Sequence, residues 1–175
     1  MGRPEELEAE ARAVLALLEP LGPLQATGSC VAGLMVSREV EVMMVGGPAY
    51  SPADVVTLLA RAVEIPGVTG FSYVDERSSH GRFLVELVVD RWTVELSIWL
   101  DPEKASAGDP YRELAGRLTA EEREAILAIK RIWRERPEYP GADAVCTAVL
   151  EHGVRTAVEF GVWLRTIQNR TASWK

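Results

Sequence analysis

Few folds accommodate two carboxylates on alternate positions of an apolar strand that follows closely on a glycine-serine turn. Residues Thr27 to Val45 read TGSCVAGLMVSREVEVMMV. Gly28-Ser29 marks a tight turn, a short apolar connection with a second glycine, Gly33, follows, and Glu39 to Val45 (EVEVMMV) alternates as a strand. Strand side chains leave alternate faces, so Glu39 and Glu41 share one face while Val40, Val42 and Met44 share the other. A solvated strand edge carries the same alternation, and for these residues alone that reading stands open. The adjoining turn adds chemistry. Two carboxylates about 6.6 Å apart at their Cα atoms can converge on Mg²⁺, which takes oxygen ligands and keeps substrate phosphates in its shell. A glycine turn beside them lets backbone N–H groups approach a phosphate, with a hydroxyl as a further donor.

The rest of the chain frames this stretch. Pro4 to Leu18 is predicted as a helix, with proline at its start, Glu5, Glu6 and Glu8 near its positive end, and Pro20, Gly22 and Pro23 beyond its end. Leu7, Val14, Leu17 and Leu18 form its apolar stripe. Ser51-Pro52-Ala53-Asp54 caps a second helix, mostly buried through Val55, Val56, Leu58, Leu59 and Val63 and ended near Pro66-Gly67. The period then changes to two: strands are predicted over Val68–Val74, Phe83–Val89 and Trp92–Leu100, the last two joined by Asp90-Arg91. Thr93, Glu95, Ser97 and Trp99 share a face of the last strand, where a mid-strand carboxylate either faces water or does chemistry. Glu86, on the neighbouring strand, is the alternative acid, because the sequence does not set the hairpin register. In the polar loop from Asp75 to Arg82, His80 is a candidate base or substrate contact, although a lone loop histidine is most often just solvated, and Arg77 and Arg82 are candidate phosphate contacts, with a plain surface loop as the alternative.

Residues 101 to 117 read as a linker with a short helix. Thr119 to Glu122 is a capping box opening a helix to about Arg136, stopped by Pro137, with Leu127, Ile129, Ile132 and Trp133 inward and Lys130, Arg131, Arg134 and Arg136 on the rest. A helix over Ala142–His152 ends at Gly153, and a second capping box, Thr156 to Glu159, opens the last helix through Phe160, Trp163, Leu164 and Ile167. The pattern predicts an α/β fold: a small mixed sheet flanked by helices over residues 1–115, then a helical C-terminal subdomain over 116–175.

The Gly-Ser turn, the short connection and the acid-hydrophobic-acid-hydrophobic strand resemble the signature of the nucleotidyltransferase superfamily, whose small members include antibiotic and minimal toxin–antitoxin nucleotidyltransferases. The resemblance spans roughly residues 24 to 100. It implies that Gly28 and Ser29 hold the phosphates of a nucleoside triphosphate. It implies too that Glu39 and Glu41 hold Mg²⁺ or Mn²⁺, and that Glu95 is the third acid, ligating the catalytic metal or taking the acceptor's proton. Lys130 is carried over as a nucleotide-phosphate contact from a helical part that closes the cleft. The implied reaction transfers a nucleoside monophosphate to a hydroxyl of a small molecule, or of a protein, with pyrophosphate leaving. The family's acids are mostly aspartates, whereas this chain has glutamate at all three positions, each about 1.5 Å longer in reach. A catalytically silent nucleotide-binding or protein-interaction module is therefore the alternative.

Charge and composition narrow the partners. A net charge of −7 over 175 residues argues against binding that leans on neutralising nucleic-acid phosphates, so no nucleic acid is expected. Cys30 and Cys146 sit among apolar neighbours and read as reduced, buried thiols, which with no signal peptide and no membrane span points to a cytoplasmic protein.

Overall fold

The strand alternation is realised in a five-stranded mixed sheet. The computed structural model describes residues 2–106 and 110–172. The chain divides into two units, Met1–Gly116 and Arg117–Lys175.

In the first unit, helix α1 (Pro4–Leu17) leads through a 3₁₀ turn to strand β1 (Gln25–Thr27), helix α2 (Gly28–Ala32) and strand β2 (Glu39–Val45). Helix α3 (Pro52–Ala62) is followed by the antiparallel meander β3 (Val68–Glu76), β4 (Arg82–Val89) and β5 (Trp92–Trp99), and by short helices α4 (Pro102–Ser106) and α5 (Pro110–Arg117). The strand order is β1-β2-β5-β4-β3, so β5 returns past β4 and pairs in parallel with β2. This crossover inserts the last strand of the meander beside EVEVMMV.

The sheet buries one face. Val40 and Val42, Phe83, Val85 and Leu87, and Val94, Leu96 and Ile98 are each at most 1% exposed. They pack with Leu7, Ala11, Val14 and Leu18 around α1 and with Val55, Leu58, Leu59 and Ala62 of α3. Burial of this kind is the main stabilising term of such a unit. Local signals set the helix starts: Ser51 and Asp54 cap each other's backbone N–H groups at α3. The two-residue Asp90-Arg91 turn closes β4–β5 with Asp90 at φ 53°, a left-handed conformation that a short polar side chain tolerates without glycine.

The second unit is helical: α6 (Ala120–Trp133), α7 (Ala142–His152) and α8 (Ala157–Ala172). The Thr119–Glu122 capping box is formed, as is the one at Thr156–Glu159, and Gly153 ends α7 at φ 64°. Trp133 meets Phe160 edge-on at 5.1 Å between centroids and donates its indole N–H to the Ala157 carbonyl at 2.9 Å.

Several expected burials differ. Leu17, Val56, Val63, Ile132 and Ile167 are exposed, between 39% and 59%, so the apolar pattern of each helix is wider than the stripe it buries. Lys130, assigned to the outward side of α6, is only 4% exposed; its long apolar stem suits that position. Cys30 is half-buried where full burial was expected, and Cys146 is buried; both are free thiols. The linker expected over 101–117 holds α4 and α5, and its residues 107–109 lie outside the described residues. Among the described residues no helix is long and apolar enough to cross a membrane.

Candidate active site

Opposite the packed face, the same strands present acids. β2 and β5 pair with Glu39 opposite Thr93 and Glu41 opposite Glu95, so Glu41 and Glu95 are direct neighbours across a parallel ladder, where strands lie about 4.8 Å apart. Glu39 stands two residues before Glu41 on the same face. The hairpin register places Glu86 directly opposite Glu95 on the other side. The row across the sheet is therefore Glu41, Glu95, Glu86, with Glu95 in the middle. This register decides what the sequence left open: both β-hairpin acids face the site, and Glu95 is the one beside Glu41.

The turn closes on this row from the β1 side. Thr27, the last residue of β1, pairs with Glu41, and Gly28 follows immediately at φ 62° as the first residue of α2. A Cβ built on Gly28 would lie 1.8 Å from Glu41 Oε2. The Glu41 carboxylate therefore rests against the Gly28 backbone, and both the left-handed conformation and the close approach require glycine. Ser29 follows in the first turn of α2, and its carbonyl accepts the Leu34 N–H at 2.9 Å, fixing the segment that Gly33 ends in the left-handed region at φ 68°.

Burial pushes the Glu95 carboxyl above the ordinary carboxylate range; Arg82 opposes the shift, and Glu39, Glu76 and Glu86 add to it. Arg82 is held on this face by Glu76 Oε2, which accepts from its Nε at 2.7 Å, and by Ser97 Oγ, which accepts from its Nη1 at 2.7 Å. Its guanidinium also lies over the Trp99 ring at 5.4 Å. Arg82, a phosphate candidate from its loop position, lies on the acid face. The signal for this was its phase: Arg82 is an even number of residues before Glu86 on one strand.

Arg77, just past the end of β3, grips Asp75 of that strand, with both carboxylate oxygens between 2.7 and 3.1 Å. His80 is exposed on the turn, its Nδ1 3.0 Å from Ser79 Oγ and 3.5 Å from Glu76 Oε2. Lys130 belongs to α6 of the second unit.

Glu39, Glu41 and Glu95 suit Mg²⁺ or Mn²⁺ in donor chemistry, all carboxylate oxygen, and in sharing one face beside a glycine turn. As placed they are not a ready-made cage: among the described residues, no three His, Cys, Asp or Glu side chains are grouped to hold an ion together.

With this geometry in view, solved structures of similar fold include the poly(U) polymerase Cid1 with Mg and 3′-dATP bound. That match has 13% identity and a TM-score of 0.51, and covers 72% of this chain and 41% of that one. A second Cid1 structure, described by its RNA terminal uridylyl transferase activity, matches at 15% identity and TM-score 0.52, over 75% and 42%. GLD-2 in complex with RNP-8 matches at 15% and 0.55, over 82% and 59%. The fold is nucleotidyltransferase-like. The chain spans roughly two-fifths to three-fifths of those chains' length. No protein-family model and no curated protein matches the chain.

Proposed function

We propose that the chain transfers a nucleoside monophosphate from a nucleoside triphosphate to an acceptor hydroxyl. The observation that carries this reading is the ladder contact of Glu41 with Glu95, with the Glu41 carboxylate seated on Gly28. Gly28 and Ser29 hold the triphosphate by backbone N–H groups and the Ser29 hydroxyl, since only a position without a side chain lets phosphate and Glu41 approach together. Glu39 and Glu41 would hold Mg²⁺ or Mn²⁺, with Glu95 as the third acid of the set. When bound, such ions neutralise charge on the attacking and leaving oxygens of an in-line displacement. The acceptor oxygen bonds to the α-phosphorus and the bond to pyrophosphate breaks; Glu95 either ligates the catalytic metal or takes the hydroxyl proton. Lys130 is assigned to the nucleotide phosphates.

The acceptor is a small-molecule hydroxyl first and a protein side chain second. The expectation that excludes nucleic acid finds no support among neighbours named as a poly(U) polymerase and an RNA terminal uridylyl transferase, so an RNA 3′-hydroxyl joins the acceptors to test. A cytoplasmic location is kept as part of the proposal. A second reading, a nucleotide-binding or protein-interaction module without turnover, is favoured by the absence of a preformed three-acid group among the described residues.

The deciding experiment is thermal unfolding with each of ATP, GTP, CTP and UTP, with and without Mg²⁺ or Mn²⁺. A ligand at 100 times its Kd adds about 2.7 kcal/mol, which raises Tm by roughly 5–11 °C in a chain of this size. Glu39→Gln combined with Glu41→Gln abolishes the metal-dependent part of the rise. Survival of metal-dependent binding in that double variant overturns the site assignment. Binding without product from a labelled α-phosphate, across RNA, small-molecule and protein acceptors, selects the silent module.

A further inference from the structure

The two edges of the sheet are unequal. β1 closes one edge with three residues, whereas β3 closes the other with nine, the longest strand of the sheet. Every residue from Phe71 to Asp75 is exposed, including Phe71 at 52%, Tyr73 at 39% and Val74 at 53%. An edge strand turns alternate N–H and C=O groups outward, and proteins usually blunt such an edge with lysine, proline, a bulge or shortness. None of these interrupts Gly70 to Val74: Val68 to Val74 contains no charge and no proline, and the register shift is confined to the start, between Val68 and Gly70. Phe71 and Tyr73 project on the packed side of the sheet, opposite Leu87 and Val85, and Ser72 and Val74 project on the acid side, opposite Glu86 and Leu84.

We propose that β3 pairs antiparallel with β3 of a second copy of this chain, about a two-fold axis at Ser72. The pattern of the strand is what selects this occupant. With Ser72 opposite Ser72, each Phe71 faces the other copy's Tyr73, giving two aromatic cross-strand pairs, the favourable kind on a ladder. Gly70 faces Val74, Asp75 faces Thr69 and Glu76 faces Val68, so no like charges oppose one another. A register one residue later keeps one aromatic pair, Tyr73 against Tyr73, in place of two, and sets Phe71 against Asp75 and Gly70 against Glu76. The arrangement is isologous, so it closes as a dimer and leaves no further edge of the same kind. It stands apart from the nucleotide-transfer reading, because β3 supplies none of the acids assigned to metal.

The test is sedimentation equilibrium of the full chain from about 10 to about 300 µM, the range in which a small interface of this type associates. The expected result is a mass rising from monomer to dimer. Ser72→Lys, at an exposed position that leaves Tm within a few degrees, sets two ammonium groups face to face and weakens association at least tenfold. Ser72→Cys in a Cys30→Ser background forms a disulfide-linked dimer under mild oxidation, because opposed strand residues have Cα atoms about 4.5–5.5 Å apart, within disulfide range. A wild-type chain that stays monomeric throughout overturns the proposal. So does a dimer that is indifferent to Ser72→Lys and is not captured by Cys at position 72.

Discussion

Val40 and Val94 are at most 1% exposed, while Glu39, Glu41 and Glu95, one residue away along the same two strands, are only half-buried and mutually repulsive in sign. The two faces of the sheet differ by a single step of phase. One face concentrates apolar area between the sheet and helices α1 and α3; the other gathers carboxylates around a glycine that a methyl group would displace. The lesson is a division of labour: the packed face supplies the stability that the acid face gives away, and a strand is a structure on which both can be written without interference.

That division can be broken first on the packed side. Phe83, fully buried at the centre of the core, should lose about 3–5 kcal/mol as Phe83→Ala. Denaturant unfolding checks it, and a loss under about 1 kcal/mol contradicts the assignment of this face as the stabilising one. Gly28→Ala comes next because it strains the backbone and displaces the Glu41 carboxylate at once. Its Cβ would sit 1.8 Å from Glu41 Oε2 in a backbone at φ 62°. It should destabilise the chain by more than about 1 kcal/mol and shift the Glu41 carboxylate, lowering metal-dependent nucleotide affinity. An Ala variant with wild-type Tm and wild-type nucleotide response would show that the close approach is immaterial.

The smallest effect sharpens the comparison. Glu95 has its pKa raised on folding, first by burial, so the native state keeps that proton to higher pH than the unfolded chain does. Stability is then undiminished in acid and falls as pH rises from the ordinary carboxylate range through the raised value. Glu95→Gln removes the charged form, so in chelator-containing buffer the variant should gain on wild type above that window and converge with it in acid. Paired Tm measurements from acid to neutral pH read the difference; a gain that is equal at every pH would point to packing rather than charge.

Much of this was legible in the sequence. Alternation gave strands at Glu39–Val45, Phe83–Val89 and Trp92–Leu100, against Glu39–Val45, Arg82–Val89 and Trp92–Trp99 observed, and capping residues gave the starts of α3, α6 and α8, because period and caps are local properties. β1 escaped notice: three residues are too few to show a period, and Thr27 is a strand residue only by pairing with Glu41. The choice between Glu86 and Glu95 was likewise non-local, since strand order and register depend on which side of β4 the chain returns to. Lys130 was misread because charge was taken to mean solvent, while its stem follows the buried side of α6. The expectation that the Glu95 face does chemistry rested on resemblance; the structure adds that Glu41 and Glu95 are ladder neighbours, which no spacing in the sequence states.

The parallel pairing of β2 with β5 has a kinetic consequence. β3, β4 and β5 join by short connections and can zip as a local meander, but β5 reaches β2 only after α3 and the whole meander have been threaded between them. Loop closure over such separations slows folding, because the entropy is lost before the contact repays it. Glu41 and Glu95 therefore meet at the end of assembly, and nucleotide binding during refolding should lag the appearance of β structure, making the acid row a clock for the last step of the fold.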